Sequence, residues 1–500
     1  MEYTDVAVIG AGLLGCFAAR ALAALDVRVT VLEAREDVCT GVSRANTAIV
    51  YTGCDTRPGT LKTGLCVKAN REFDRLCRDL DVRFSRCGSL MAAFSPRAEE
   101  VLRKKLDQGR TNGVPGLELL GPAEIRAMEP NLSPDATLAL YAPGTGTVDP
   151  WELCVAAYEN AGDNGADFRF SQEVRRMART ETGFLLETDD TTYAARVVVN
   201  CAGLRADAVR ELTQRPAVRI FPTAADYLVL DHRVSGFVKH IIFHEPEEKG
   251  KGLTLVPTVD GVLLAGPTER PRDTAPDWAT SREGLEELRV LCGRVAPGLP
   301  LDETIRSFAA LRPNPWAVRE ENGQWTRDGR SISSFTVLEE DGLISLIGIK
   351  TPGLTCAAAL GEHVAGLAAR ILGQPGKNPR FDPCRRGITR VHALGAAERA
   401  DLVRRDPDYG QVVCRCRDVT LGEIREAIRR GAVTPEGVKR RAGAGMGRCQ
   451  GGRCAETVIK LLAEARGVPP WQVTGDGGAA LIFGELHPGP GTAGKETGRY

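Results

Sequence analysis

Four cysteines near the C-terminus are the residues whose type and spacing point most directly to chemistry. Cys414 and Cys416 form a C-x-C pair, and Cys449 and Cys454 follow after 32 intervening residues. Four thiolates can hold a [2Fe–2S] core. The alternative is a zinc knuckle on the same cysteines, although zinc usually takes paired C-x-x-C motifs. Basic residues that would offset the negative charge of a cluster lie nearby: Arg415, Lys439, Arg440, Arg441, Arg448 and Arg453.

A glycine motif at the N-terminus points to a second cofactor. The apolar run Val6-Ala7-Val8-Ile9 leads directly into Gly10-x-Gly12-x-x-Gly15. Glycines at this spacing, between a strand and a helix, allow a tight turn and a close approach to a pyrophosphate at the helix N-terminus. The two motifs together suggest that electrons leave a substrate through a flavin and then an iron–sulfur cluster.

The segments after the glycine motif complete a predicted βαβ unit. Residues 13–25 are rich in Ala and Leu and predict a helix, and residues 27–32 predict a second strand that ends at Glu33. The Glu33 carboxylate can bind ribose hydroxyls and would repel a 2′-phosphate, which disfavours NADP. FAD and NAD share this motif, so the motif alone leaves both open.

Composition excludes several classes of function. The 500 residues include 65 Lys+Arg and 65 Asp+Glu, so the net charge is zero and gives no sign of broad attraction to nucleic acid or anionic membrane. No apolar run approaches the roughly 18–20 residues that span a bilayer. The N-terminus lacks a basic region followed by an apolar one, so we expect no signal peptide and a cytoplasmic location, with peripheral membrane contact left open.

The order of strand-like and helix-like runs predicts the domain organisation. An α/β nucleotide domain interleaved with a more antiparallel substrate domain is expected over residues 1–372. Residues 373–405 are predicted as a linker, because the first part of this stretch is rich in Pro, Gly and charge. A small domain is expected over 406–470, and 471–500 is predicted to be a tail with a disordered end.

The small domain contains three helix signals. Thr420 with Glu423 is a capping box, and Thr434 before Pro435 is an N-cap followed by Pro at the first helical position. Residues 455–466 predict a further amphipathic helix. These signals place the cysteines on loops that flank short helices.

Most of the chain, residues 3–372, resembles the D-amino-acid-oxidase-like superfamily. Within it the sequence is most similar to the branch of FAD-dependent glycerol-3-phosphate dehydrogenases and oxidases and L-2-hydroxyglutarate dehydrogenases. The matching segments are 43–66, 86–94, 146–153, 197–207, 250–268, 307–313 and 348–355. The resemblance implies a glutathione-reductase-type Rossmann FAD domain interleaved with an α+β substrate domain. It also implies these cofactor contacts: Gly10, Gly12, Leu13, Gly15, Glu33, Ser43, Asn46, Thr47, Val174, Ala202, Gly203, Gly348, Pro352, Gly353, Leu354 and Thr355.

Residues 410–466 resemble the bacterioferritin-associated-ferredoxin-like [2Fe–2S] domain. That domain is a C-terminal appendage of anaerobic-type glycerol-3-phosphate dehydrogenases. The resemblance implies a small helical domain with Cys414, Cys416, Cys449 and Cys454 as the cluster ligands. It further implies an acceptor that is a partner protein, a quinone or a second flavin subunit, and it leaves homo- or hetero-oligomeric assembly open.

The reacting centre departs from the family pattern. In the hydroxy-substrate relatives the loop reads S-x-A-N-S-G-x-x-H-x-G, and its histidine is the expected base. Here residues 43–53 place Tyr51 at that position. Tyr51 could be a phenolate-assisted base or relay, could mark a change to an amine substrate that needs no strong base, or could only line the pocket. The resemblance implies Lys251, Arg312 and Lys350 as candidate anion-binding residues.

Three functions follow from these features. The first is oxidation of a small anionic hydroxy compound, either a 2-hydroxy acid or a polyol phosphate such as glycerol 3-phosphate, by hydride transfer to FAD, with electrons leaving through the cluster. The second is oxidation of an amine, amino acid or imino acid. The third is an electron-transfer subunit that depends on a partner for substrate turnover.

Overall fold

The computed structural model describes residues 1–245, 252–271 and 278–478. The chain divides into two compact units, Met1–Gly387 and Ile388–Tyr500. The helices are α1 (Leu13–Ala23), α2 (Leu61–Asp79), α3 (Pro96–Thr111), α4 (Pro122–Met128), α5 (Pro150–Asp163), α6 (Ala206–Glu211), α7 (Arg282–Val295) and α8 (Gly353–Ile371) in the first unit, and α9 (Ala396–Arg405), α10 (Leu421–Arg429), α11 (Pro435–Ala442) and α12 (Ala455–Arg466) in the second.

The strands follow the same chain order. They are β1 (Glu2–Ile9), β2 (Val29–Leu32), β3 (Ile49–Val50), β4 (Phe84–Ser85), β5 (Ser89–Ala93), β6 (Glu118–Leu120), β7 (Leu138–Ala142), β8 (Gly146–Val148), β9 (Asp167–Arg169), β10 (Arg176–Thr180), β11 (Gly183–Glu187), β12 (Thr192–Asn200), β13 (Val218–Ile220), β14 (Thr223–Leu230), β15 (Ile241–His244), β16 (Thr254–Pro257), β17 (Leu263–Gly266), β18 (Arg270–Pro271), β19 (Thr304–Arg312), β20 (Pro315–Glu321), β21 (Gln324–Ser331), β22 (Thr336–Glu340), β23 (Leu343–Ile347), β24 (Val412–Cys414) and β25 (Val419–Thr420).

The first sheet is the nucleotide-binding sheet that the glycine motif predicts. Its centre is the parallel run β9-β2-β1-β12, and β23 also pairs in parallel with β12. Val6, Val8, Val29 and Val31 are buried in one core with the inner face of α1, which also packs against α5 and α8. Strands buried on both faces need near-continuous apolar sequence, and β1 and β2 have it. The interleaved α/β fold is therefore confirmed.

The second sheet of this unit is mainly antiparallel. Its nine strands run β18-β14-β17-β16-β15-β5-β7-β6, with β19 also paired to β14. A separate core beneath it includes Leu90, Leu228, Leu255 and Leu288, the last from α7. A further sheet of this unit has three strands, in the order β13-β20-β21. These are the elements of the predicted α+β substrate domain.

The second unit is small and largely helical, as expected. The β24-β25 hairpin precedes α10, α11 and α12, whose apolar faces form one core with Ile424, Val438 and Leu462 at its centre. Thr420 makes the predicted capping box with Glu423, and the Thr434 hydroxyl accepts the Gly437 N–H at the start of α11.

The predicted linker over 373–405 is wrong in detail. Its first part belongs to the first unit, where the Asn378 side chain donates to the Ala23 carbonyl and buried Arg385 is paired with Glu159 at 2.6 Å. Its last part forms α9 of the second unit. Composition alone indicated a linker, but specific polar contacts hold this Pro- and Gly-rich segment in the first unit.

The predicted tail over 471–500 is also wrong at its start. Val473 is buried in the core of the second unit, and Asp476 is paired with buried Arg440. The remaining prediction, a disordered end, falls on 479–500, which lie outside the described residues. Within the described ranges, no helix combines the length and the apolar character that crossing a membrane requires.

Candidate active site and cluster site

The turn between β1 and α1 requires glycine at two positions. Gly10 has φ of +99°, and a Cβ there would lie 2.8 Å from the Cys201 carbonyl oxygen. A Cβ on Gly15 would lie 1.8 Å from the Gly10 carbonyl oxygen. The backbone of this turn is thus held close to the end of β12, the arrangement that a pyrophosphate-binding turn needs.

The side chains of Glu33 and Ser43, from separate loops, accept hydrogen bonds from the backbone of this turn. The Ala11 N–H donates to the Glu33 carboxylate at 2.6 Å, and the Leu13 N–H donates to the Ser43 hydroxyl at 2.9 Å. Burial raises the pKa of Glu33, although the backbone hydrogen bonds from Ala11 and Arg35 oppose this shift. The acid predicted to bind ribose therefore lies directly beside the glycine turn.

The loop with Tyr51 is joined to the start of α8. The Thr355 hydroxyl accepts the Tyr51 N–H at 3.0 Å and donates to the Ile49 carbonyl at 3.4 Å. The Asn46 side chain holds the same loop, since its oxygen accepts the Ala48 N–H at 2.8 Å. The predicted contacts Gly348 and Pro352 precede α8, and Gly353 and Leu354 are its first two residues.

The predicted cofactor contacts gather at one edge of the first sheet. They follow the carboxyl ends of β1, β2, β12 and β23, which are parallel neighbours. After β12, the Asn200 side chain accepts the Ala202 N–H at 3.2 Å and Gly203 has φ of +59°. Val174 packs against the same small core as Ala202. Ligands of open α/β sheets bind at this edge, so the residues present fit a dinucleotide.

A cavity of about 530 Å³ lies beside the Tyr51 loop. Tyr51, Arg312 and Lys350 all line it, so the fold brings three of the four candidate catalytic residues together. The fourth, Lys251, lies outside the described residues. The described wall also contains four charged residues that the sequence analysis missed: Asp55, Lys62, Glu269 and Arg327.

Arg312 is held in place by an aromatic pair. Its guanidinium donates to the Tyr227 hydroxyl, and the Tyr227 ring stacks on Phe308 with centroids 4.9 Å apart and planes 12° apart. The stacked Tyr227 thus positions the arginine.

Two lysines approach the cavity from other elements. The Lys350 ammonium donates to the Asn314 side-chain oxygen at 2.8 Å. The Lys62 ammonium, in the first turn of α2, donates to the Ser333 carbonyl at 3.3 Å. Lys62 follows Thr60, the N-cap of α2, and the sequence predicted neither the start of this helix nor its direction toward the cavity.

Arg327 lies between two aromatic rings at the cavity wall. Its guanidinium carbon is 4.1 Å from the Phe221 ring centroid and 5.3 Å from that of Trp316. Stacking on aromatic faces orients a guanidinium. The pairing of β20 with both β13 and β21 brings these residues together, and no local motif predicts it.

The Tyr51 side chain is packed by protein but keeps one edge on the cavity. Burial raises its pKa well above the usual range, while the Thr47 hydroxyl, which hydrogen bonds to the phenol, opposes that shift. Tyr51 therefore stays a neutral phenol, which argues against the phenolate-base interpretation. The described cavity wall contains no histidine. His244, at the end of β15, packs edge-on against Phe94.

The four C-terminal cysteines form two contacting pairs in the second unit. Buried Cys454 hydrogen bonds to buried Cys414 and, with backbone N–H groups, lowers the pKa of the Cys414 thiol to about 6. The half-exposed Cys416 and Cys449 hydrogen bond to each other.

Backbone N–H groups surround these sulfurs. The Gly445 nitrogen is 3.4 Å from the Cys414 sulfur, which also accepts from the Arg417 N–H. The Gly451 and Arg453 N–H groups point to Cys449. Four thiols in two pairs, ringed by amide donors, fit an anionic cluster that takes two thiolates on each iron.

Comparison with known proteins identifies the family of each of the two domains. The family model described as FAD dependent oxidoreductase matches residues 5–367, and the BFD-like [2Fe-2S] binding domain matches 412–464. The chain is 39% identical over 481 residues to a glycerol 3-phosphate dehydrogenase of Caloramator mitchellensis, covering 96% of this chain and 98% of that one. It is 27% identical over 501 residues to one of the subunits of the anaerobic glycerol-3-phosphate dehydrogenase of Escherichia coli K12, covering 92% and 88%.

A solved structure shares the fold of the first unit. The L-alpha-glycerophosphate oxidase of Mycoplasma pneumoniae with FAD bound superposes with a TM-score of 0.68 at 22% identity, covering 77% of this chain and 99% of that one. At this identity the likeness establishes the fold.

Proposed function

Since the chain belongs to the family of FAD-dependent oxidoreductases and carries a [2Fe–2S]-binding domain, we propose that it is a dehydrogenase of a small polyol phosphate, with glycerol 3-phosphate as the leading substrate. The observation that carries this proposal is the charge of the cavity. Its described wall contains Lys62, Arg312, Arg327 and Lys350 against Asp55 and Glu269, an excess of two positive charges.

A phosphate monoester matches this excess. It carries nearly two negative charges at neutral pH and three acceptor oxygens, and guanidinium groups bind it bidentately. Arg312 is fixed by Tyr227 and Arg327 by two aromatic rings, so neither has to be ordered when the ligand binds. A single carboxylate would leave more of the positive charge uncompensated. The glycerol 3-phosphate dehydrogenase that is 39% identical to this chain supports the same choice.

The residues of the reacting centre would orient the alcohol. Tyr51, as a neutral phenol, can donate a hydrogen bond to the substrate oxygen. The hydroxyl proton of the alcohol would then pass to water in the cavity as the hydride leaves. FAD, held by the glycine turn, Glu33 and the start of α8, would accept the hydride, and the cluster held by the four cysteines would carry single electrons onward. The chain's own residues would thus bind the phosphate and position the alcohol.

A second candidate, oxidation of an amine or amino acid, rests on the same tyrosine. The wall lacks a histidine base in the described residues, and a neutral amine can assist hydride loss from the adjacent carbon without one. This candidate predicts an imine product, which releases ammonia when the substrate is a primary amine.

Anaerobic flavin bleaching at about 450 nm separates the candidates. The protein with both cofactors is mixed with glycerol 3-phosphate, glycerol, L-2-hydroxyglutarate, glycine and L-proline. We expect glycerol 3-phosphate to bleach the flavin much faster than glycerol, without ammonia. Bleaching by the amino compounds alone would favour the second candidate. Failure of every compound would contradict both and favour the partner-dependent electron-transfer role.

A further inference from the structure

The cysteine pairs of the second unit differ in their exposure. Cys414 and Cys454 are buried, whereas Cys416 and Cys449 are half-exposed. Electron transfer between proteins is fastest across the shortest gap, so the edge with Cys416 and Cys449 is where an acceptor would approach a bound cluster. This edge is formed by two loops, 414–417 and 445–454.

The same two loops carry charge of a single sign. They contain Arg415, Arg417, Arg448 and Arg453 and no aspartate or glutamate. Arg415, Arg448 and Arg453 are exposed. The nearest acids in the sequence are Asp418, just beyond the first loop, and Glu456, whose carboxylate is paired with Lys460 at 2.6 Å.

This local charge contrasts with the neutrality of the whole chain. The formal net charge is zero, so the overall field does not attract an anionic partner. A patch of one sign beside a redox centre instead gives local steering and fixes the orientation of the complex. We propose that the exposed arginines around Cys416 and Cys449 form a docking surface for an acceptor protein with an acidic surface around its own one-electron centre.

The chemistry at this surface is a single outer-sphere electron transfer. One electron leaves the reduced protein and one oxidised acceptor gains it, and no bond or proton changes. The proposal rests on the electron route in the proposed function. It is tested on chemically reduced protein, so that a wrong substrate assignment does not affect the outcome.

Two protein probes of opposite charge test the surface. Plastocyanin is an acidic blue-copper acceptor and cytochrome c is a basic haem acceptor, and both take one electron. The full chain with both cofactors is reduced with dithionite and mixed with each probe in a stopped-flow instrument. We expect plastocyanin to be reduced about tenfold faster than cytochrome c at low ionic strength, and the difference to shrink as salt is added.

Charge reversal provides the matched comparison. The double variant Arg415→Glu/Arg453→Glu should lose the preference for plastocyanin. Arg466→Glu, an exposed arginine at the far end of α12 and about 18 Å along the helix from Cys454, should keep it. The cluster content of each variant is checked by its visible absorption. If the double variant takes up no cluster, the salt dependence of the unaltered protein still decides.

A binding measurement gives a readout that does not depend on electron transfer. Reduced plastocyanin cannot accept an electron, so calorimetric titration reports docking alone. We expect salt-sensitive binding to the unaltered protein and to Arg466→Glu, and weaker binding to the double variant. Faster reduction of cytochrome c, or equal rates and affinities in the double variant and the unaltered protein, would overturn the proposal.

Discussion

The two units hold their redox cofactors in different ways. In the first unit, the predicted FAD contacts come from segments as far apart as Gly10 and Thr355, and they meet only because four parallel strands end at the same edge. In the second unit, all four cysteines lie within 414–454, on a hairpin and two turns. Flavin binding therefore depends on a large fold, whereas cluster binding depends on a short local framework with its own core.

Because of this difference, the two units also differ in which residues can change while the cofactor site is kept. The loops and hairpins beside the first sheet could vary the proposed substrate cavity without changing the glycine turn, and Tyr51 lies on one of these loops. The cysteine framework offers less freedom, because Cys414, Cys416 and Cys454 also pack in the core of the second unit.

The largest effect should come from a cysteine of the inner pair. Cys414→Ala should abolish the cluster while flavin content stays unchanged, because the two units have separate cores. Visible and EPR spectra measure the cluster, and the flavin-to-protein ratio measures the first unit. Cys384→Ala, which removes an exposed cysteine, is the control and should retain both cofactors. Loss of flavin together with the cluster would mean that the two sites are not independent.

The next largest effect should come from the cavity. Arg327→Gln removes a guanidinium from the proposed phosphate site, and loss of a charge-assisted hydrogen bond costs about 1.5–3 kcal/mol. We expect kcat/KM for glycerol 3-phosphate to fall about 10- to 100-fold, with little change for glycerol. Arg319→Gln, on the same hairpin but paired with Glu321, is the control. An equal loss for both substrates would place Arg327 outside the phosphate site.

A smaller effect is expected at the glycine turn. Glu33→Gln keeps the shape of the side chain but would weaken the hydrogen bonds that we expect it to make to ribose, so FAD affinity should fall about tenfold. The flavin dissociation constant, obtained from fluorescence titration, gives the measurement. Glu36→Gln, on the same loop, should bind FAD like the unaltered protein. An unchanged affinity in Glu33→Gln would remove Glu33 from the cofactor site.

The smallest effect, about fivefold, is expected from Tyr51→Phe, which removes one hydrogen-bond donor worth about 1 kcal/mol. Because burial raises the pKa of Tyr51, the phenol stays protonated and should give no change in rate between about pH 6 and 9. Tyr51→His should add a titration near pH ~6.5, with the rate rising as the imidazole loses its proton. A pH-dependent limb in the unaltered protein that disappears in Tyr51→Phe would contradict this role.

The two units also show which features could be predicted from the sequence. The glycine turn and the helix caps at Thr420 and Thr434 are local signals, and the fold keeps each of them. Arg327 and Lys62 were missed because their place in the cavity depends on the register of a hairpin and on the direction of a helix. The predicted linker was wrong for a similar reason, since buried Arg385 binds a distant glutamate that composition does not reveal.

One measurement tests directly whether substrate is oxidised in the first unit and electrons leave through the second. The unaltered protein and Cys414→Ala are compared in two half-reactions: anaerobic flavin bleaching by glycerol 3-phosphate, and reduction of plastocyanin during turnover. We predict equal bleaching in both proteins and loss of plastocyanin reduction in Cys414→Ala. Plastocyanin reduction that continues unchanged without the cluster, or a flavin that glycerol 3-phosphate does not bleach, would contradict the account.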